Sequence, residues 1–234
     1  MRRPLSIMRA GDDWIEILYK IVGQGLRLLS QKHPGDTVSV LGPIGRPFTF
    51  SPDRPRALLI GGGVGIPPMV YIADELRHDK DAWQPFAILG SEIPFPFDPV
   101  KSSISVAGID KHVSSTMPLL ESWGIPARLT SLQGYDGCHN GYVTDLAHKW
   151  LESLSVDELA KVEVFACGPT PMLKAVADLA ARYKLPCQVS LEEFMACAVG
   201  GCAGCAVLIN TSEGAAMKRV CVDGPVFDAA TVAW

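Results

Sequence analysis

Short apolar strands alternating with helices, a glycine-rich turn joining the first of them to its helix, and cysteines crowded near the C-terminal end predict an α/β chain with added β structure. The expected domains are a β-rich segment over residues 1–50, a parallel α/β domain over 51–190 and a small cysteine-rich domain over 191–234. Hydrophobic residues make up 48% of the 234 positions and charged residues 20%, enough apolar surface to bury a substantial core. A net charge of −4 excludes a general nucleic-acid-binding surface. No run approaches the roughly 18 apolar residues of a membrane helix, so no membrane association is expected. Residues 1–10 are basic but lead into no apolar stretch of the kind a secretory signal needs. The seven cysteines are odd in number, which argues against a disulfide framework and for a reducing, cytoplasmic setting.

In chain order, residues 14–22 alternate with a mostly two-residue period and read as a strand, residues 25–30 as a short helix, and residues 36–41 as a strand stopped by Gly42-Pro43. Residues 57–60 form a short apolar strand running into Gly61-Gly62-Gly63-Val64-Gly65-Ile66-Pro67-Pro68 and a helix over 69–77. Strands follow at 86–89, 127–130 and 162–166, with helices at 117–123, 144–153 and 171–183. The stretch 91–111, rich in Pro, Ser and Phe, reads as a loop.

Cys197-x4-Cys202-x2-Cys205, with Cys221 after fifteen intervening residues, has plant-type ferredoxin spacing for a 2Fe-2S cluster. Ala198, Gly200, Gly201, Ala203, Gly204 and Ala206 let backbone approach sulfur and aim N–H groups at a negatively charged centre. Zinc is the alternative, although it commonly takes two CxxC knuckles and only one is present; inert buried thiols are a second. Cys138 and Cys187 read as ordinary small residues.

Gly63-x-Gly65-x-x-Pro68 stands where a phosphate-cradling turn belongs, between strand and helix. Pro68 replaces the usual third glycine, so a tight turn without a ligand remains open. Cys167-Gly168-Pro169 ends a strand at the carboxyl edge of the predicted sheet, where open α/β folds bind ligands. Cys167 there stands either beside a nicotinamide or as a buried structural residue.

Together these signals resemble the ferredoxin reductase superfamily. Arg2-Arg3-Pro4-Leu5-Ser6-Ile7 resembles its Arg-Pro-x-Ser flavin motif. Ser190-Leu191-Glu192-Glu193, Met195-Ala196-Cys197, Val220-Cys221-Val222-Asp223-Gly224-Pro225-Val226-Phe227, Gly141-Tyr142-Val143-Thr144-Asp145-Leu146 and Cys167-Gly168-Pro169-Thr170-Pro171-Met172 look like the electron-transfer subunit family of dihydroorotate dehydrogenase B. The resemblance covers nearly the whole chain. It implies FAD contacts from Arg3, Pro4, Leu5, Ser6, Leu18, Tyr19, Lys20, Gly25 and Leu26, with Arg3 facing the pyrophosphate and Ser6 the isoalloxazine edge. NAD is implied at Gly63, Gly65, Cys167, Gly168 and Pro169, and the cluster at Cys197, Cys202, Cys205 and Cys221. No acid–base pair is nominated, since hydride transfer needs none.

The implied partner is an FMN-containing catalytic subunit in a two-plus-two heterotetramer. Electrons from dihydroorotate would pass from FMN through cluster and FAD to NAD+, in pyrimidine biosynthesis. Because the first residues are already the flavin motif, the expected barrel is partial. A threonine is usual where Leu26 stands, an arginine is common where Phe194 stands, and the loop 91–111 is longer than the family pattern. Arg77 and His78 are basic groups expected near the dinucleotide ribose. Two rivals stay open: the flavin subunit of a ferredoxin:NADP+ or sulfide-linked oxidoreductase, and a non-catalytic iron–sulfur redox module.

Overall fold

The computed structural model describes residues 3–79 and 81–234. Met1 and Arg2, the latter part of the expected flavin motif, lie outside the described residues.

The N-terminal segment opens with an antiparallel pair, β1 (Ile7–Ala10) and β2 (Ile15–Ile17), followed by α1 (Gly23–Leu29). The strand expected over 14–22 is cut to three residues, because β1 supplies partners only from Ile7 to Ala10. The strand expected over 36–41 does not form. A strand is held by a ladder, and no described strand lies beside this stretch. Val38 and Val40 stay 49% and 66% exposed.

Next come β3 (Arg56–Gly62), α2 (Ile66–Leu76), β4 (Phe86–Gly90), a two-residue ladder of β5 (Val100–Lys101) with β6 (Ser115–Thr116), α3 (Pro118–Ser122) and β7 (Ala127–Thr130). They are followed by α4 (Val143–Glu152), α5 (Val156–Leu159), β8 (Val162–Cys167), α6 (Thr170–Tyr183) and β9 (Cys187–Ser190). The hairpin β10 (Ala206–Thr211) and β11 (Gly214–Arg219) precedes the last strand, β12 (Val226–Asp228).

Six strands form one sheet in the order β12-β9-β8-β3-β4-β7, parallel except for β12. β3 and β8 are almost continuous apolar runs because helices cover both faces of a parallel sheet. Period-two alternation splits the core. Leu58, Ile60, Val162, Val164 and Ala166 pack under α4 and α6, while Ala57, Leu59, Phe165 and Cys167 face α2 and α3. Cys205, Ile209, Val220 and Cys221 join the first of these cores. The cysteine-rich segment therefore shares the sheet's hydrophobic core and supplies its edge strand. Among the described residues no helix is long and apolar enough to cross a membrane.

Candidate iron–sulfur centre and nucleotide edge

The four clustered cysteines come from an irregular loop and the hairpin after it. Cys197 and Cys202 lie on the loop, Cys205 at its end and Cys221 just past β11. The loop turns through left-handed backbone at Ala198 (φ 61°), Gly200 (φ 79°) and Ala203 (φ 52°). Such conformations cost a residue with a side chain about 1 kcal/mol or more, so alanine here marks backbone bent to a purpose. The bends turn amides inward. The N–H groups of Val199, Cys202 and Gly201 face the Cys197 sulfur and hold its thiol down at about 6. Gly204 N donates to Cys202 Sγ at 3.4 Å. Cys205 and Cys221 are buried, at 2% and 1% exposure, whereas Cys202 is exposed.

The Cys197 thiol interacts with Cys202 and the Cys221 thiol with Cys205, and Cys197 also acts on Cys221, so the four face one region. Among the described residues no three His, Cys, Asp or Glu side chains close round a single metal ion. The shared region, the low thiol and the inward amides fit the two-iron group.

The nucleotide motifs meet at the carboxyl edge of the sheet. β3 is followed by β4 on one side, while β8 returns on the other, so β3 and β8 flank the point where strand order reverses. Ligands bind at such points in open α/β sheets. A Cβ on Gly65 would stand 2.0 Å from Cys167 O and 2.6 Å from Gly168 N, and one on Gly62 would meet Met172 Sδ at 2.4 Å. Gly65 therefore lets the β3–α2 and β8–α6 turns lie backbone to backbone. Gly63 is different: exposed, at φ +56°, with nothing within 4 Å of a built Cβ. Few amides serve this turn, because Pro67 and Pro68 carry no N–H and Ile66 N donates to Gly63 O. The α2 dipole still favours an anion there. Cys167 is buried and its thiol, pushed up to about 12 by burial, stays protonated at neutral pH. Pro169 is exposed beside it.

The flavin-motif residues lie just before β1 (Arg3–Ser6), just after β2 (Leu18–Lys20) and on α1 (Gly25 and Leu26). Gly25 leaves room for Arg3, whose Nε would stand 3.4 Å from a Cβ at that position. Leu18 packs with the α2-side core, Leu5, Tyr19 and Leu26 are half-buried, and Pro4, Ser6 and Lys20 are exposed. Arg77 and His78 are displaced from their expected role. α2 starts at the carboxyl edge and runs back, so its last turn lies at the opposite edge, where Arg77 pairs with Asp74 and stacks on Trp123 at 4.6 Å.

Residues 192–233 match the model of the iron–sulfur cluster binding domain of dihydroorotate dehydrogenase B. Over 97% of this chain and 78% of the relative's length, it is 32% identical to the dihydroorotate dehydrogenase B (NAD(+)) electron transfer subunit of Caldanaerobacter subterraneus subsp. tengcongensis. The same subunit of Bacillus caldolyticus is 36% identical over 99% of this chain and 80% of its own. The chain belongs to the dihydroorotate dehydrogenase B electron transfer subunit family. Like other members of this family, it is an oxidoreductase component with a ferredoxin reductase-type fold and an iron–sulfur cluster binding domain. A solved structure of an NADH-dependent reduced ferredoxin–NADP oxidoreductase, studied for flavin-based electron bifurcation, superposes over 100% of this chain and 74% of its own with a TM-score of 0.76 at 28% identity. The Amycolatopsis cytochrome P450 reductase GcoB shares the fold, with a TM-score of 0.58 at 18% identity over 79% of this chain and 54% of its own.

Two features of this family member escape sequence reasoning. A groove of about 790 Å³ lies past the carboxyl ends of β4 and β7, between Phe95, Phe97, Lys101, Lys111, His112 and Tyr135. The long loop 91–111 forms one wall, anchored by Glu121, which accepts from Ser102 Oγ at 2.8 Å and Ser103 N at 2.7 Å. The second is Arg219, which binds the cysteine loop through Gly200 O at 3.0 Å. A lone arginine at a strand end gives no sequence signal, and spacing shows only that the loop is long.

Proposed function

We propose that this chain is the electron-transfer component of an NAD-linked dihydroorotate dehydrogenase. It works with an FMN-containing catalytic subunit, two copies of each, without nucleic acid or membrane. The four-cysteine set, built on a chain of this family, carries the reading. Cys197, Cys202, Cys205 and Cys221 would hold the cluster, and the loop amides would stabilise their thiolates. When bound, the cluster relays electrons singly and FAD couples them to two-electron exchange with the nicotinamide. Arg3 neutralises the FAD pyrophosphate beside Gly25. Pro4, Leu5 and Ser6, just before β1, would line the flavin, together with Leu18, Tyr19 and Lys20 just after β2 and Leu26 on α1. Gly63 admits the NAD pyrophosphate at the α2 terminus, and the groove beyond β4 and β7 receives the rest of the dinucleotide. Gly65, Gly168 and Pro169 shape the turns around it. Cys167, a neutral thiol, borders the nicotinamide as a packing group and not as a base. The proposed units are residues 1–50 for FAD, 51–190 for NAD and 191–234 for the cluster, in the cytoplasm.

The test combines this chain with an FMN-bearing catalytic subunit and follows NAD+ reduction on adding dihydroorotate. Dihydroorotate-dependent NADH formation that needs both chains supports the reading; its absence with both loaded overturns it. A second reading, a flavin subunit exchanging electrons between ferredoxin and a nicotinamide, draws on the ferredoxin–NADP oxidoreductase superposition. Reduced ferredoxin replacing the catalytic subunit as electron donor would favour it.

A further inference from the structure

The 200–201 peptide sits between the two halves of the cysteine set. On one side, in the preceding 199–200 peptide, Gly200 N–H faces the Cys221 sulfur. On the other, Gly201 N–H faces the Cys197 sulfur. Between them Gly200 O accepts from Arg219 Nη1 at 3.0 Å. Arg219 is itself fixed at the end of β11: its backbone N and its Nε both donate to Asp223 Oδ2, at 2.7 and 3.3 Å. Glycine relieves strain here, since φ is +79° and a Cβ would come 3.2 Å from the side chains of Arg219 and Val222.

A trans peptide is planar, so its C=O and N–H point in opposite directions. Holding Gly200 O therefore aims Gly201 N–H at Cys197. A cation on the carbonyl also polarises that amide and strengthens its donation. Because Arg219 ends β11 and stands two residues before Cys221, the same contact sets the loop carrying Cys197 and Cys202 against the hairpin carrying Cys205 and Cys221.

We propose that Arg219 is the positioning residue of the cluster: through the 200–201 peptide it registers the two cysteine pairs and raises the cluster's reduction potential. The inference rests on the cluster reading above. Both effects follow from one guanidinium, since a positive charge and a directed N–H stabilise the more negative reduced cluster.

The experiment compares wild-type holoprotein with Arg219→Gln, Arg219→Lys and Asp223→Asn. It reads iron and sulfide content, the rate of iron loss to a chelator, and the cluster midpoint potential by redox titration followed by EPR. Iron retention in Arg219→Gln should fall about 10-fold or more, the usual cost of losing an outer partner of a metal ligand. The potential of its remaining cluster should move to more negative values. Arg219→Lys, which keeps the charge but not the fork, should recover part of the potential and less of the retention. Asp223→Asn should shift both in the same direction by less, and it decides the matter with Arg219→Lys if Arg219→Gln does not fold. Wild-type retention and potential in Arg219→Gln overturn the proposal. So does equal loss of retention in the Gln and Lys variants with unchanged potentials, which is what a purely structural contact gives. A wild-type protein without iron and sulfide overturns the cluster reading itself.

Discussion

Replacing Gly65 by alanine separates what the glycine turn does for the fold from what it does for a ligand. The added Cβ would stand 2.0 Å from Cys167 O and 2.2 Å from Cys167 C, both backbone atoms of a fully packed strand end. To reach ordinary contact near 3.5 Å the two turns must part by about 1 Å or more. Overpacking a tight site costs roughly 1–3 kcal/mol, and backbone on both sides places this change at about 3 kcal/mol. With a urea m-value of about 3 kcal/mol/M for a chain of this size, the unfolding midpoint falls by about 1 M. Gly63→Ala is the matched control. Its Cβ meets nothing within 4 Å, and its only cost is a left-handed φ of +56°, about 1 kcal/mol. The order should reverse in NADH binding, where Gly63→Ala places a methyl in the space open to a pyrophosphate. Urea unfolding followed by circular dichroism, with NADH titration of the folded variants, measures both. Stability of Gly65→Ala within error of wild type, or Gly63→Ala as the more destabilised variant, would refute the reasoning.

Cys202→Ser should purify with little iron or sulfide while leaving the sheet intact, because Cys202, a ligand on the proposed reading, is exposed and outside the core; iron analysis beside circular dichroism checks it. Burial pushes the Cys167 and Cys187 thiols up to about 12, from an ordinary value of 9.0. Raised folded-state values give stability that is complete below pH 9 and declines as pH rises towards 12, by up to about 1.4 kcal/mol per pH unit for each thiol. Denaturant midpoints across that window should drop, and a Cys187→Ala variant should show a shallower drop; equal slopes would remove the thiols as the cause. Glu121→Ala removes the acceptor for Ser102 and Ser103 and the carboxylate facing buried Arg128, at a cost of about 2 kcal/mol. Limited proteolysis should then cut within residues 91–111, and an unchanged digestion pattern would show that the loop is held elsewhere.

Four of the six sheet strands, β3, β4, β7 and β8, were legible, three of them as short apolar runs running into glycine, while β9 was not; α2, α4 and α6 begin within three residues of the expected positions. The segment 36–41 misled because alternation records a two-faced strand but not whether a partner lies beside it. The cysteine spacing located the cluster loop, yet spacing says nothing of the left-handed turns at Ala198 and Ala203 or of Arg219 across the loop. Gly63 and Gly65 read alike in sequence. Only the approach of Cys167 to one of them, across about 100 residues of chain, tells packing from open space. The edge strand β12 was invisible for a similar reason: three residues gain their ladder from β9, more than thirty positions away.

Electron passage through this chain, from a nicotinamide to an iron–sulfur centre by way of a flavin, is tested most directly by an anaerobic absorbance titration with NADH. Flavin, iron and sulfide are assayed on the same sample. The account predicts one flavin and two irons per chain, with flavin and cluster bands bleaching together on NADH addition. A sample carrying both groups whose cluster band stays oxidised under excess NADH would contradict it.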